Sequence, residues 1–505
     1  MMKNALTALL CLVGFQVAVA QSVSGRIIDS ETGAPLSFAD VQINDSNSIM
    51  SNTEGGFTVP EKNADDATML TVSFLGYYTQ YLTVRDLKNN DGTVRLKPGA
   101  FKLETVYISK ASMNADSIMA SVKNNLKNNY KFYGSNNKTT FFYRSSAAIT
   151  PAKAEAKISQ STKYSKEEIK EANKELETFI STIKANPPKE FADVLIDHYM
   201  TKKMVKGKIG FLTRDQVIKA VKLRDNSNPI SLNDMLETGA KILFTHLDPE
   251  KYYRIKSGWF GTRDTIVSHN SFDTDDVTKE KNNLKDVTSE ISIFRSGSSL
   301  QYSSNLDFVK NNEIYKYSFV GVTEDGDNGR VFIIKFRPGK RRAKYNGTLY
   351  IAEKDYAVIR ADYGLADGRK LGGINLKFIL GIKQLENVSR GTLVFKESEE
   401  GGYYLKYASK ESGEYVYINR PLKFIEITNG GKEKIEFEVK VEMNVLNRQE
   451  FCFVSKSAIT EAEFDALEEK DFEYETVDGY SPDIWKEFTS IEPLEEMKQF
   501  KNVTQ

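Results

Sequence analysis

The sequence is poor in the residues that most enzyme centres and disulfide scaffolds need. Among 505 residues there are two cysteines, three histidines, two tryptophans and twelve prolines. Cys11 falls within the first twenty residues, so a processed chain would keep only Cys452 and could form no internal disulfide. Cys452 sits in Glu-Phe-Cys-Phe-Val, a strand-like context that reads as a buried, inert thiol. His198, His246 and His269 lie in no H-E-x-x-H or H-x-x-E spacing, which removes the zinc ligands of a metallopeptidase. There is also no G-x-S-x-G elbow, P-loop or G-x-G-x-x-G, and a His246–Asp248 pair alone does not make a triad. The sequence thus offers no catalytic residue, metal site or cofactor. Lys plus Arg equals Asp plus Glu at 69 each, so no global charge draws the chain to nucleic acid. No run after residue 20 reaches eighteen apolar residues, so no transmembrane helix is expected.

What is present begins with an address. Lys3 precedes an apolar run from Ala5 to Val19 that ends in Ala18-Val19-Ala20, followed by Gln21. This is the layout of a signal peptide at 1–20, with the mature chain starting at Gln21. Cys11 follows Leu9-Leu10 rather than a small residue, which argues against a lipid attachment site. The chain is therefore expected to be exported, to the periplasm or in association with the outer membrane.

Composition points to β structure: 40% apolar, 27% charged, with 25 Tyr and 29 Phe. Between residues 21 and 98, about seven short β-branched and aromatic runs alternate with turn signals such as Thr32-Gly33 and Glu54-Gly55-Gly56. That pattern predicts a small antiparallel β-sandwich. Its motifs are Val23-Ser-Gly-Arg-Ile-Ile-Asp29, Glu31-Thr-Gly-Ala-Pro-Leu36, Asn52-Thr-Glu-Gly-Gly-Phe57 and Ser73-Phe-Leu-Gly-Tyr-Tyr78. In this order they resemble the carboxypeptidase regulatory-like, transthyretin-like domain found at the N-termini of exported Bacteroidetes proteins. The resemblance implies a non-catalytic module. The extended stretch after it, Leu103-Glu-Thr-Val-Tyr-Ile-Ser109, resembles the segment that follows this domain in TonB-dependent outer-membrane receptors. Phe141-Phe-Tyr-Arg144 and Tyr345-Asn-Gly-Thr-Leu-Tyr-Ile-Ala352 are similar to an uncharacterised exported family of the same group, which implies no activity.

Residues 99–112 read as an extended linker and 113–245 as a helical connector. Within the connector, Asp116–Tyr130 is one helix; Ser165 and Glu168 form a capping box ahead of a stripe from Ile169 to Ile183 that Pro187-Pro188 ends. Phe191, Val194, Leu195 and His198 continue as a further helical stripe. Residues 246–460 read as an antiparallel β-domain of ten or more strands joined by short loops, curled or half-barrel in form. Strict alternation of Ile374, Leu376, Phe378, Leu380 and Ile382 predicts one strand with a buried face. A membrane-spanning barrel fits poorly, since both faces of many strands carry Lys or Glu. Glu324-Asp-Gly-Asp-Asn-Gly329 lacks the later ligands of a calcium loop and reads as a polar hairpin.

Two charge features remain. Arg337, Lys340, Arg341, Arg342 and Lys344 crowd five cations around a Pro-Gly turn and are the candidates for contact with an anionic head group. Residues 461–505 form an acidic segment, with nine acids from Glu461 to Asp478, ending in a helix that Trp485 and Phe488 would dock onto the sheet. The aromatic residues Tyr252, Tyr253, Trp259, Phe378, Tyr403 and Tyr407 are available to line an apolar cavity between sheet and helices. The reading is a mainly β, non-enzymatic binding or scaffolding protein with a lipid or outer-membrane protein as partner. Its rivals are an accessory component of a TonB-dependent receptor and a hydrolase built on one of the three histidines.

Overall fold

The computed structural model describes residues 22–44, 47–99, 114–131, 134, 136–205, 207–224, 251–256, 265–268, 284–326, 329–377, 381–427 and 433–500. The signal-peptide residues, nearly all of the 99–112 linker, His246, Asp248, Trp259, His269 and Phe378 lie outside them. Two units are formed: one from the N-terminal residues through Pro98 together with Ser481–Pro493, the other from the rest of the chain.

The first unit is a β-sandwich of seven strands: β1 (Val23–Asp29), β2 (Asp40–Ile43), β3 (Asn47–Met50), β4 (Gly56–Val59), β5 (Met69–Ser73), β6 (Gln80–Thr83) and β7 (Thr93–Leu96). They form two sheets, ordered β4-β1-β7 and β3-β2-β5-β6. Alternating side chains such as Ile27, Val41, Ile43, Phe57, Leu70, Val72 and Val94 fill the space between them. Gly33 and Gly55 hold positive φ where the turn motifs require it. One expectation is corrected: β1 and β7 pair in parallel, because the chain crosses the second sheet before returning. A short helix, α1 (Val84–Asn89), caps itself with Thr83 and Asp86 on the way back.

A further correction concerns the tail. Trp485 and Phe488 do not dock on the large sheet, since residues 481–493 belong to the sandwich unit. The Asn52 side-chain amide donates to the carbonyls of Glu492 and Pro493 at 3.2 and 3.3 Å, and the Glu61 amide donates to Lys486 at 2.6 Å. The sandwich therefore takes in residues from near the end of the chain as well as 22–97.

The second unit is one open fourteen-stranded sheet. Its main path is β13-β14-β15-β16-β18-β19-β20-β8-β9-β10-β21, with β11, β12 and β17 attached beside it. The strands in chain order are β8 (Asn137–Ser161), β9 (Lys189–Val205), β10 (Lys208–Arg224), β11 (Tyr252–Lys256), β12 (Thr265–Ser268), β13 (Tyr315–Asp325), β14 (Gly329–Pro338) and β15 (Tyr345–Ala352). After them come β16 (Val358–Leu365), β17 (Gly373–Leu376), β18 (Ile382–Glu397), β19 (Tyr403–Glu426), β20 (Lys434–Ala458) and β21 (Glu475–Asp478). Pairing is antiparallel throughout except β10 with β21.

The helical connector is thus overturned as a unit. It holds two helices, α2 (Ala115–Asn129) and α3 (Lys166–Ala185), but also three long strands of the sheet. The Phe191 to His198 stripe is strand β9, not helix. Its apolar residues sit on both faces, so their spacing lacks the alternation of a half-buried strand and imitates a helical stripe. The strand expected across Ile374–Ile382 is two strands, and Ile374 and Leu376 are exposed at the sheet margin rather than buried. Helix α3, opened by the Ser165–Glu168 capping box, packs Ala172 against Ile158, Tyr253, Phe424, Ile435 and Phe437. Helix α4 (Leu284–Gly297) sets Phe294 edge-on against Tyr143, and the Tyr143 hydroxyl donates to Glu290 at 2.8 Å. Short helices α5 (Glu461–Asp465) and α6 (Glu495–Lys498) close the unit. Leu494, Met497 and Phe500 pack on Phe191 and Leu223, taking the docking role expected of Trp485.

Candidate anion-binding face

Residues directly opposite in an antiparallel sheet share a face, so register decides which distant side chains meet. Lys316 of β13 stands opposite Arg337 of β14. Arg337 is one residue past the Phe336–Gly347 pair, which sets it beside Asn346 of β15. Asn346 then faces Gly364, Gly364 faces Arg390, Arg390 faces Glu411, and Glu411 faces Arg448. Two residues along the strands, a second row on the same face runs Ser318, Lys335, Thr348, Asp362, Thr392, Ser409, Glu450, Arg144, Asp193. Two neighbouring rows of this face are mostly polar, the second across nine strands, while the next row along it, Val394, Tyr407, Cys452, Phe142 and Leu195, is apolar.

The two halves of this face differ. From β19 to β9 it is closed: Glu450, Arg144 and Asp193 are 1%, 2% and 4% exposed. Arg144 donates from Nε and Nη2 to the two Asp193 oxygens at 2.7 Å each. Glu450 accepts from Tyr407 at 2.7 Å and from Arg448 at 2.9 Å. Burial pushes the Asp193 carboxyl up, against the pull of Arg144. The group is satisfied internally and has nothing left for a ligand.

From β13 to β18 the face is open. Lys316, Lys335, Arg337 and Asn346 are exposed. The carboxylates here are engaged: Asp362 accepts from Thr392 at 2.8 Å and from Arg360 at 2.9 Å, and Glu411 pairs with Arg390 at 2.7 Å. Among the described residues, no acid lies within ion-pair distance of Lys316, Lys335 or Arg337. Like charges directly opposite each other, as Lys316 and Arg337 are, disfavour the pairing unless an anion bridges them.

The β14–β15 turn borders this open half. The amides of Gly339 and Lys340 both donate to the Ile314 carbonyl, and the Ala343 amide to Lys340, fixing the turn tightly. Arg337, Lys340, Arg341 and Arg342 are exposed and Lys344 half-buried. Arg342 meets Glu313 at 3.3 Å, but both side chains are largely exposed and the pair contributes little. Arg369 donates to the Arg341 carbonyl at 2.9 Å, bringing another cation to the turn. At a strand spacing of about 4.8 Å, Arg337 and Arg390 stand about 14 Å apart. Guanidinium groups at this spacing suit several phosphate or carboxylate groups of one extended anion better than one small ion. Sequence reading found the turn but missed Lys316, Lys335, Arg369 and Arg390. Their only signal was a polar position repeating every second residue, and which strands adjoin is not written in that period.

The other sequence candidates end elsewhere. The acidic segment is engaged within its own unit. Glu461 and Asp465 hold Lys203 at 3.0 and 2.7 Å, Glu475 meets Lys219, Glu469 accepts the Asp215 amide and Asp471 accepts the Leu284 amide that opens α4. It braces β9, β10 and α4. Tyr253 and Tyr407 are packed solid at 1% and 0% exposure, Tyr403 bonds Asp355, and Tyr252 is exposed, so these four do not form one cavity wall. Cys452 is buried beside Tyr407 and Phe142. His198 bonds Asp215 at 2.7 Å across β9 and β10, with its ring 5.7 Å from Phe141. Among the described residues no Ser, Thr or Cys reaches its other nitrogen, so the pair lacks a nucleophile. No group of three metal-ligating side chains occurs among the described residues.

No curated protein matches the chain. Among solved structures it is similar to a Bacteroides fragilis protein described as membrane-associated and of unknown function. The two are 12% identical, with 40% of this chain and 96% of that one covered and a TM-score of 0.11. A score that low leaves the fold of this chain to be argued from its own residues. Residues 23–108 match the family model of the CarboxypepD_reg-like domain, so the sandwich and the stretch after it are where this chain meets a known family.

Proposed function

We propose that this protein is an exported, non-enzymatic binding or scaffolding protein of the periplasm or outer-membrane periphery. Its large sheet holds an extended anionic ligand, with lipid phosphate the chemistry that fits. The observation that carries the reading is the set of exposed cations Lys316, Lys335 and Arg337 on one face, without described acidic partners, bordered by the Lys340–Lys344 turn. The regulatory-like sandwich and the leader-like first twenty residues support it. The test is co-sedimentation of the full chain with vesicles of phosphatidylethanolamine containing a quarter phosphatidylglycerol. Binding is expected to exceed that to neutral phosphatidylcholine vesicles and to fall steeply with salt, as contacts between exposed charges do. Equal binding to both vesicles, or binding indifferent to salt, would refute it.

A further inference from the structure

The cationic row has a gap where it crosses β15 and β16. Between Arg337 and Arg390 the two positions on this face are Asn346 and Gly364, both uncharged. In the neighbouring row Lys335 is followed by Thr348 and Asp362, and Asp362 is engaged by Arg360 and Thr392. Asn346 is exposed and Thr348 half-buried, and among the described residues neither side chain has a hydrogen-bond partner.

Gly364 is the unusual member of the row. Glycine inside a strand marks a bulge, a close approach of another backbone, or a place where a ligand comes near. The first does not apply, since the register with β15 shifts only at Tyr350–Ile351 and the register with β18 does not shift. Nor does the second. A Cβ on Gly364 would meet only the Arg390 Cβ, at 3.6 Å, whereas one on Gly347 or Gly391 would strike the Asp362 or Ser409 carbonyl oxygen. Its φ is not positive either, so the backbone makes no demand for glycine. Packing would accept a side chain here, and the lack of one leaves a dip between Asn346 and Arg390.

Given the anion-binding reading proposed above, on which this rests, we infer that the ligand is a saccharide phosphorylated at two positions. Its sugar body lies over Gly364 and its phosphates meet Arg337 and Arg390, which stand about 14 Å apart at the usual strand spacing. The Arg390 side chain is drawn away from Arg337, toward β19, where its Nη2 meets Glu411 at 2.7 Å. It is 67% exposed, so its other guanidinium donors stay within reach of a ligand. A phosphate oxygen takes a charged N–H donor at about 2.7–2.9 Å, so one phosphate serves one end of the gap only. The body between two phosphates must then be uncharged, enter the dip and answer an amide and a hydroxyl. Sugar hydroxyls both donate and accept, and so satisfy Asn346 and Thr348; an acyl chain in that place would leave both without a partner.

The test titrates the full chain with an acyl-free glucosamine disaccharide phosphorylated at both ends, with the same disaccharide lacking phosphate, and with inorganic phosphate. The bisphosphate is expected to bind about tenfold or more tighter than either. Gly364→Val, which suits a strand, should keep the circular dichroism of the parent and fill the dip. The ratio of affinity for the bisphosphate to affinity for the phosphatidylglycerol-containing vesicles should then fall about tenfold. Asn346→Ala, a surface change that spares the fold, should lower the same ratio about fivefold. Inorganic phosphate binding as tightly as the bisphosphate, or a ratio that neither substitution moves, would overturn the saccharide while salt-dependent vesicle binding leaves the anion-binding reading standing. No binding to the bisphosphate or to the vesicles would overturn both.

Discussion

Replacing Arg144 by Leu is the sharpest perturbation of the closed half of the polar face. The side chains of Arg144 and Asp193 are 2% and 5% exposed, and two 2.7 Å bonds join them. Removing the guanidinium leaves a carboxylate in the core without its counter-charge, a class of change that costs about 3–5 kcal/mol. With a urea slope of roughly 3 kcal/mol/M, the unfolding midpoint should fall by about 1–1.7 M. The loss should also depend on pH. The Asp193 carboxyl is already held above its ordinary value by burial, even with Arg144 present. A carboxyl whose folded pKa is raised binds more protons folded than unfolded, so stability falls as pH rises from the unfolded pKa through the folded one. Without Arg144 that window extends further up, so the deficit should be largest near neutral pH and shrink toward pH 4. The assay is urea unfolding of parent, Arg144→Leu, Asp193→Leu and the double variant at several pH values. The double variant should recover most of the loss, since neither side chain of the pair then carries a buried charge. A single variant that loses less than about 1 kcal/mol at neutral pH, or as much at pH 4 as at pH 7, would refute the reasoning.

Three further outcomes follow from packing. A fragment of residues 22–98 should unfold about 3 kcal/mol more easily than the same fragment with the 481–493 peptide added in excess, since it lacks the Asn52 and Glu61 bonds and the burial of Ile491; a midpoint indifferent to the peptide would show that the segment is a bystander. Gly347→Ala places a Cβ 2.1 Å from the Asp362 backbone carbonyl and should cost about 1–3 kcal/mol or more in thermal unfolding; an unchanged midpoint contradicts the β15–β16 register. Cys452, 2% exposed, should resist a thiol reagent in the native protein and react fully in urea; fast native reaction would mean that the strands around it open.

The sandwich was legible because its strands are short, one face of each is buried, and glycine marks the turns that need positive φ. The ends of β15 at Tyr345 and Ala352 were legible for the same reason. The long strands were harder. β9 buries Phe191 and Leu195 on one face and Val194 and Ile196 on the other, so its period imitates a helix. β8 passes through Ala147-Ala148 and Thr150-Pro151-Ala152-Lys153, a composition with little strand preference that is held by pairing with β20 for nearly its whole length. Of the polar face, only the Arg337–Lys344 turn is contiguous in sequence. Lys316, Lys335 and Arg390 join it through register alone, and register is a property of five strands together rather than of any one.

The central claim is that position in the sheet, not general basicity, makes the ligand site. It is tested most directly by comparing charge reversals at Lys316, Arg337 and Arg390 with reversals at Lys170 and Lys174, exposed on α3. The measurement is the affinity of each variant for phosphatidylglycerol-containing vesicles at physiological salt. Each substitution in the row should weaken binding by about fivefold or more, roughly 1 kcal/mol per charge removed, and the helix substitutions should leave it unchanged. Equal losses in both groups would contradict it.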